Sequence, residues 1–540
     1  MSKARDLASA APAPSTVSAT ELGYLDGVTS AVQTQIDGKS ATSHNHNGTY
    51  EPSLPSQTGN SGKYLTTDGT SKSWGTVNQY QLPSQTGNAG KFLTTNGTTE
   101  SWASVTPDYS ANPFFQTLSV DTSSSGENVI ATLPDSSGNV YVIGNISNFN
   151  GAGFIIKKDS SGNDIWQKLL VSTNSSYAMQ FRFARLDSSG NIYINGTAWS
   201  GSGSTFRRNT VWKFNSSGSL LWTTFAELNT PANSSAMNVD SDGNVYSTGY
   251  YYQGGYYAWV TKFNSDGTIG WGGYQYASSS AHDIQFNAIA FDTSNNPILI
   301  GYEQTNSNAH NILVVKLNKS NSSLIFSYAY NESGTSEEYS YSGVADSNDN
   351  IYIGYQNASY RFCIMKINSA GAVQWSRNFA SGYPSFMTIG EDGFLYASGI
   401  TYNYYGSDQV QPSLLVKYDL SGAVQWQRTL YASIVSPSGF GFVDASKATY
   451  MYVGGSVNIN GGGDGLFAKL KKDGTGTGTY SIGSASLVYK PTTYTDTSIS
   501  VTKVNAATYW GANQTPNSGS VSAFTIYDGI VSSKTAYIPS

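Results

Sequence analysis

One unit recurs along most of the chain, and it restricts the fold more than any other feature. Its first half reads Asp-Ser-Ser-Gly-Asn-Val-Tyr-Val-x-Gly, with copies beginning at Asp135, Asp187, Asp240, Asp292, Asp346, Glu391 and Asp444. Its second half is an apolar-Lys-apolar run, a turn of the Asn/Asp-Ser-x-Gly type and a run holding an aromatic. The lysines are Lys157, Lys213, Lys262, Lys316, Lys366, Lys417 and Lys469. The aromatics Trp166, Trp222, Trp271, Phe326, Trp375 and Trp426 are spaced 49–56 residues apart. One such unit cannot bury its own apolar faces, so neighbouring copies must do it for each other. A period of this length with several short strands predicts an all-β fold, a β-propeller with four strands in each blade.

The strands are named a to d from the axis outward. Strand a precedes the Asp, strand b is Asn-Val-Tyr-Val-x-Gly, strand c carries the lysine and strand d the aromatic. Seven a-b-c sets predict a seven-bladed β-propeller over residues 106–484. Two segments compete for strand d of the last blade. Phe114-Phe115-Gln116-Thr117-Leu118 closely matches Ile165-Trp166-Gln167-Lys168-Leu169, and a degenerate copy around Tyr480 also fits. Pairing of either would remove a free strand edge. In strand b, Ile192 and Ile194 share one face while Tyr193 takes the other. Blades stack face to face, so the recurrent Tyr and Trp are expected to pack between blades.

Composition agrees. Charged residues are 12% of the 540, against about 25% in an ordinary globular protein. With 56 Gly and 39 Tyr, the chain suits short strands and turns better than helices. A net charge of −6 disfavours nucleic-acid binding through a basic surface. The single Cys363 lies in the apolar run Phe362-Cys363-Ile364-Met365 and reads as a buried, inert thiol. Met1 to Leu7 has no apolar run of signal-peptide length, and no apolar stretch reaches the roughly 20 residues of a helical span. Membrane insertion is not expected.

A second, shorter repeat precedes the first. Leu54-Pro55-Ser56-Gln57-Thr58-Gly59-Asn60 returns 28 residues later as Leu82-Pro83-Ser84-Gln85-Thr86-Gly87-Asn88. Each copy continues as Gly-Lys-aromatic-Leu-Thr-Thr and ends in Ser-Trp, at Trp74 and Trp102. Asp68-Gly69 and Asn96-Gly97 mark hairpin turns. Upstream, Leu22, Leu25, Val32 and Ile36 form a short heptad-like stripe interrupted by Gly23 and Gly27. Four segments follow: a thin helix/hairpin part made of 1–50 and 51–105, the propeller 106–484, and a small β-rich C-terminal segment 485–540. The last has candidate strands at Ser498 to Lys503 and Ala523 to Tyr527 and no assigned fold.

At this point a resemblance emerges. Ala19-Thr20-Glu21-Leu22-Gly23-Tyr24-Leu25-Asp26-Gly27-Val28-Thr29 resembles a segment near the start of many bacteriophage tail-fibre proteins. The Leu-Pro-Ser-Gln-Thr-Gly-Asn units are similar to repeats in virion structural proteins, notably of cyanophages. The resemblance covers residues 19–102; the repeats beyond resemble bacterial propeller repeats, which speak to fold and hardly to function. It implies a homotrimer in the virion tail, made in the host cytoplasm. The N-terminus would attach to other tail or baseplate proteins. The propeller would adsorb to a glycan or protein on the bacterial surface. A non-receptor virion component, such as a capsid knob or tail connector, and a polysaccharide-degrading enzyme are the alternatives.

Candidate sites follow from loop chemistry. The a-b and c-d turns are short and near-constant, while the b-c and d-a connections, on the opposite face, are long and variable. Binding concentrates on variable loops over a rigid scaffold. Tyr251, Tyr252, Tyr256, Tyr402, Tyr404 and Tyr405 in these loops are the candidate receptor-binding residues, since tyrosine offers a flat ring and a hydroxyl at low entropic cost. His44 and His46 would point the same way in a strand, and three such pairs about a trimer axis could hold a transition metal. No other cofactor is indicated. The Asp-x-x-Gly corners read as turns rather than calcium loops. Glu303, Glu332, Glu337, Glu338 and Asp283 lie in or near loops, and His282 and His310 are isolated; no spacing singles out a catalytic pair, so an enzyme is not expected.

Overall fold

The computed structural model describes residues 34, 55–61, 63–76, 91–95, 100–104, 114–119, 126–147, 152–172, 177–200, 207–227, 232–252, 255–277, 283–306, 309–332, 337–402, 412–432, 440–446, 450–458, 463–482, 485–505, 508–510, 517–519, 524–528 and 532–537. It divides into two compact units, Met1–Thr106 and Pro107–Ser540.

In the first unit the 28-residue repeat folds as two hairpins. Lys63–Thr67 pairs antiparallel with Lys72–Thr76, and Lys91–Thr95 with Glu100–Ser104. Leu65 faces Trp74 in one, and Leu93 faces Trp102 in the other, so the repeat is structural as well as textual. The turn is held by Asp68, whose Oδ1 accepts the N–H groups of Ser71 at 2.7 Å and Thr70 at 2.9 Å. These bonds hold its carboxyl far below the usual carboxylate range. Trp74 Nε1 donates to the Pro55 carbonyl at 3.1 Å, fastening the proline segment to the hairpin.

The second unit is all β. Its repeats fold as seven four-stranded antiparallel meanders among the described residues. The first is Glu127–Pro134, Val140–Ile146, Ala152–Lys158 and Asp164–Ser172. The second starts at Tyr177–Leu186, the third at Ala232–Val239, the fourth at Ile284–Phe291 and the fifth at Tyr339–Ala345. Val373–Ile389 supplies strand d of the fifth sheet and strand a of the sixth. The seventh begins at Phe440–Asp444. The innermost strands neighbour one another in a closed cycle, the seventh lying against the first. This is a propeller arrangement, as the repeat predicts.

The place of Phe114–Ser119 is settled. It pairs with strand c of the last sheet, Gly463–Lys471, and acts as its strand d. Tyr480 lies in Gly478–Ile482, which pairs instead with Ala485–Pro491 on the outside of the sixth sheet.

Residues 485–537 do not form a separate element. They supply an outer fifth strand to every sheet in turn. Ala485–Pro491 joins the sixth, Thr497–Ser498 the fifth, Thr502–Asn505 the fourth and Thr508–Trp510 the third. Asn517–Gly519 joins the second, Phe524–Asp528 the first and Ser532–Tyr537 the seventh. The segment thus runs a full circuit, opposite to the order in which the sheets were laid down. The expected strand at Ser498 to Lys503 is split, because one side of the corner serves the fifth sheet and the other the fourth. The strand expected at Ala523 to Tyr527 is observed as Phe524–Asp528, the first sheet's fifth strand.

The repeat residues have identifiable tasks. The a-b corners at Asp135, Asp187, Asp240, Asp292 and Asp346 are Asx turns; Asp187 Oδ1 accepts the N–H groups of Ser189 and Asn191, both at 2.9 Å, and its Oδ2 accepts Asn191 Nδ2 at 2.8 Å. The carboxylates of these corners are taken up by their own turns and, at Asp135 and Asp292, by a strand-c lysine as well. The glycine ending strand b answers a bulge in strand a. Register slips between Ser234 and Ala236 and between Phe286 and Ala288. A Cβ on Gly249 would lie 1.7 Å from the Asn233 carbonyl oxygen, and one on Gly301 1.9 Å from that of Gln285.

Tyr of strand b, Lys of strand c and Trp of strand d stand side by side in register, as in Tyr193, Lys213 and Trp222. Ring centroids of Tyr193 and Trp222 are 6.2 Å apart, and Lys213 Nζ lies 4.8 Å from the tyrosine centroid. Tyr193 packs with Met237, Val245 and Phe263 of the next sheet, so the expected inter-sheet role holds. The lysine adds what the pattern did not suggest. Lys213 Nζ and Trp222 Nε1 both donate to the Ser265 carbonyl in the neighbouring c-d turn, at 3.0 and 3.1 Å. Lys262 and Trp271 do the same to Lys319, at 3.1 and 2.9 Å, and Lys366 and Trp375 to Leu420, at 3.1 and 3.3 Å. From the seventh sheet, Lys469 reaches the Ser160 carbonyl of the first at 2.6 Å. Cys363 is fully buried, and burial pushes its thiol well up.

Candidate ligand-binding face

In a four-stranded meander the b-c and d-a connections share one end of the sheet. The third sheet presents there a hairpin of strand b, Val245–Tyr252, and strand c, Tyr256–Phe263. Tyr251 opposes Tyr257, and Tyr252 opposes Tyr256. Alternation along the strand puts Tyr250 and Tyr252 on one side and Tyr251 on the other. Tyr256 meets Tyr250 and Tyr252 edge-on, each at 5.3 Å between centroids, while Tyr251 and Tyr257 stack at 5.3 Å. Tyr252 is 64% exposed and Tyr256 is 41% exposed. The Tyr256 N–H donates to Asp283 Oδ1 at 2.9 Å, which ties the hairpin to the fourth sheet.

Two further aromatic groups stand in the fourth to sixth sheets. Tyr302 in strand b of the fourth sheet, His310 in its strand c and Tyr339 in strand a of the fifth are mutually in ring contact, at 5.4, 5.1 and 4.6 Å. Tyr341 then meets Tyr383 at 5.1 Å, and Tyr383 meets Tyr402 at 6.0 Å. Gln356 Nε2 donates to the Tyr402 hydroxyl at 3.2 Å, and Tyr302 donates its own to Gln285 Oε1 at 2.9 Å. Burial raises the phenols of Tyr302, Tyr339 and Tyr383, and pushes Tyr341 up to about 12. These groups therefore stay neutral hydroxyl donors across the physiological range.

The structure thus brings Tyr251, Tyr252 and Tyr256 together, in the ends of two paired strands rather than in a loop, and places Tyr402 in another aromatic group with Tyr383 and Tyr341. Tyr404, Tyr405, His282, His44 and His46 lie outside the described residues. Tyr302, Tyr339, Tyr341 and Tyr383 were missed by sequence reasoning, because they do not cluster at one connection as Tyr250 to Tyr257 do. Aligning the repeats would have flagged Tyr341, which occupies a bulge position of strand a where other copies carry Ser235, Asn287 or Ser385.

The carboxylates considered for catalysis are placed differently. Glu303 and Glu338 are fully buried. Glu332 accepts the Tyr355 hydroxyl at 3.0 Å and Asn357 Nδ2 at 3.0 Å, and burial raises its carboxyl. His310 is held below its ordinary value by burial, and its carbonyl accepts the Glu338 N–H at 3.1 Å. Burial in this corner joins the fourth and fifth sheets.

A cavity of about 1050 Å³ lies along the innermost strands. Arg185 lies in it, with its guanidinium 5.0 Å from the Phe386 centroid and 5.9 Å from that of Phe442, and Nη1 donating to the Ala184 carbonyl at 2.8 Å. Burial raises the nearby Asp444 carboxyl, which accepts the Ser446 N–H at 2.7 Å.

No family model and no curated protein matches the sequence. Among solved structures, Sqt1 from Chaetomium thermophilum is 9% identical, with 66% of this chain and 99% of that chain covered and a TM-score of 0.38. The Dos1 propeller is 10% identical over 66% and 94%, with a TM-score of 0.37. A polysaccharide lyase bound to an ulvan fragment is 10% identical over 64% and 95%, with a TM-score of 0.39.

Proposed function

We propose that this protein is an adhesin of the phage tail-fibre type, whose seven-bladed propeller binds a glycan on the bacterial surface through the end that carries the b-c and d-a connections. The observation that carries the reading is the exposed tyrosine hairpin, Tyr250 to Tyr257. Large rings held by their neighbours present apolar faces and hydroxyls together, which suits the C–H faces and hydroxyls of sugars. Residues 1–50 would assemble three chains and attach them to the tail, and the hairpins of 51–105 would form a neck. In that trimer His44 and His46 would be the candidate axial metal ligands.

Two measurements test the two halves of this reading. Tyr252→Ala with Tyr256→Ala should weaken adsorption to host cells, or to their extracted polysaccharide, at least about tenfold, because aromatic anchors carry most of the binding energy in such surfaces. Unchanged adsorption with an unchanged unfolding midpoint would remove the ledge from the binding role. Light scattering on the full chain should give the mass of three chains; a monomer would end the fibre assignment and the axial metal site with it.

A further inference from the structure

The tyrosine hairpin has a cationic neighbour. Arg182 stands at the bulge of strand a in the second sheet, between Phe181 and Phe183. Arg207 opens strand c of that sheet. Arg207 donates from Nη1 to Asn233 Oδ1, and Asn233 is the cross-strand partner of Tyr250. Arg207 therefore meets the hairpin tyrosine Tyr250 at the corner between the second and third sheets, and Arg182 lies near enough for the charge of Arg207 and the Tyr250 phenol to act on it.

Three of the repeat lysines are paired with carboxylates. Lys157 pairs with Asp135 at 3.2 Å, Lys316 with Asp292 at 2.5 Å and Lys417 with Asp392 at 3.0 Å. Arg182 is different: it has no hydrogen bond or ion pair among the described residues, while Arg207 bonds only a neutral amide. Burial, and to a lesser extent the neighbouring Arg207, lowers Arg182 from its ordinary value, while the field of Tyr250 opposes this. The guanidinium remains charged all the same. Two adjacent like charges repel, and an anion between them would reverse the sign of that interaction. The planar fork of arginine matches a carboxylate in bidentate geometry.

We infer that Arg182 and Arg207 bind the carboxylate of an acidic, uronate-bearing glycan whose adjoining sugar ring lies against Tyr250 and Tyr256. The inference rests on the glycan reading and specifies its ligand class.

The test is equilibrium binding of the full chain to alginate oligosaccharides and to neutral dextran oligosaccharides, for the wild type and for Arg182→Gln with Arg207→Gln. Wild type should bind alginate in preference to dextran, less tightly as salt rises. The double variant should lose about tenfold or more in alginate affinity, the scale of a charged hydrogen-bonded pair, and Arg182→Lys with Arg207→Lys should recover part of it. A glutamine variant that folds normally and binds alginate like wild type overturns the inference. Wild-type binding to dextran but not alginate overturns it while leaving the glycan reading intact. Wild-type binding to neither polymer, together with unchanged host adsorption by the Tyr252→Ala and Tyr256→Ala variant, overturns both.

Discussion

Deleting residues 485–540 should leave a chain that no longer unfolds cooperatively at 25 °C. The segment looks dispensable in sequence, being polar and without repeats, yet it completes every sheet. Its first strand carries Leu487 and Tyr489, both fully buried in one core cluster with Phe115, Leu430 and Met451. Truncating a single buried leucine to alanine costs about 2–5 kcal/mol, and whole domains are stable by only about 5–15 kcal/mol. Removal would also bare an edge on each of the seven sheets, inviting aggregation. Circular dichroism melts and limited proteolysis of the truncated chain would read the outcome. A cooperative transition at the wild-type midpoint would show that the circuit adds no stability, and the propeller would then have to be closed by Phe114–Ser119 alone.

Phe115→Asp should be nearly as damaging, although it changes one residue far in sequence from the sheet that it completes. Phe115 is fully buried, pairs with Ala468 on one side and Ala536 on the other, and lies 5.3 Å from Tyr480 between ring centroids. An unpaired charge there has no partner to offset its desolvation, so a loss of roughly 3–5 kcal/mol in denaturant unfolding is expected. Phe115→Leu, which keeps the apolar volume closer, should lose under about 1.5 kcal/mol. Equal midpoints for the Asp and Leu variants would mean that this strand does not close the ring.

Much of the fold was legible because its signals are local and repeated. Asx turns need Asp and Asn at fixed offsets, strands alternate with a period of two, and the recurring aromatics mark one strand per unit. The candidate face was only half legible. Tyr252 and Tyr256 announce themselves by clustering with other tyrosines at one b-c connection, although both belong to strands, whereas Tyr302, Tyr339, Tyr341 and Tyr383 lie scattered in ordinary strand patterns. They become a surface only because sheets meet side by side. The repeat lysines show the same limit: their spacing was plain, but their targets are carbonyls of the next sheet, 52 residues on for Lys213 to Ser265.

The sequence by itself determined the all-β class, the four-stranded unit and its turns, since each follows from neighbours within one period of the repeat. Tertiary structure decided which of two candidate strands closes the last sheet. It also decided that residues 485–537 circle the outside and that Arg207, bonded to Asn233, lies beside Tyr250. Those outcomes depend on unpaired strand edges and side chains brought together across sheets. Such contacts leave no periodic trace in the chain, because their partners lie tens to hundreds of residues apart: Phe114 pairs with Lys469 and with Tyr537.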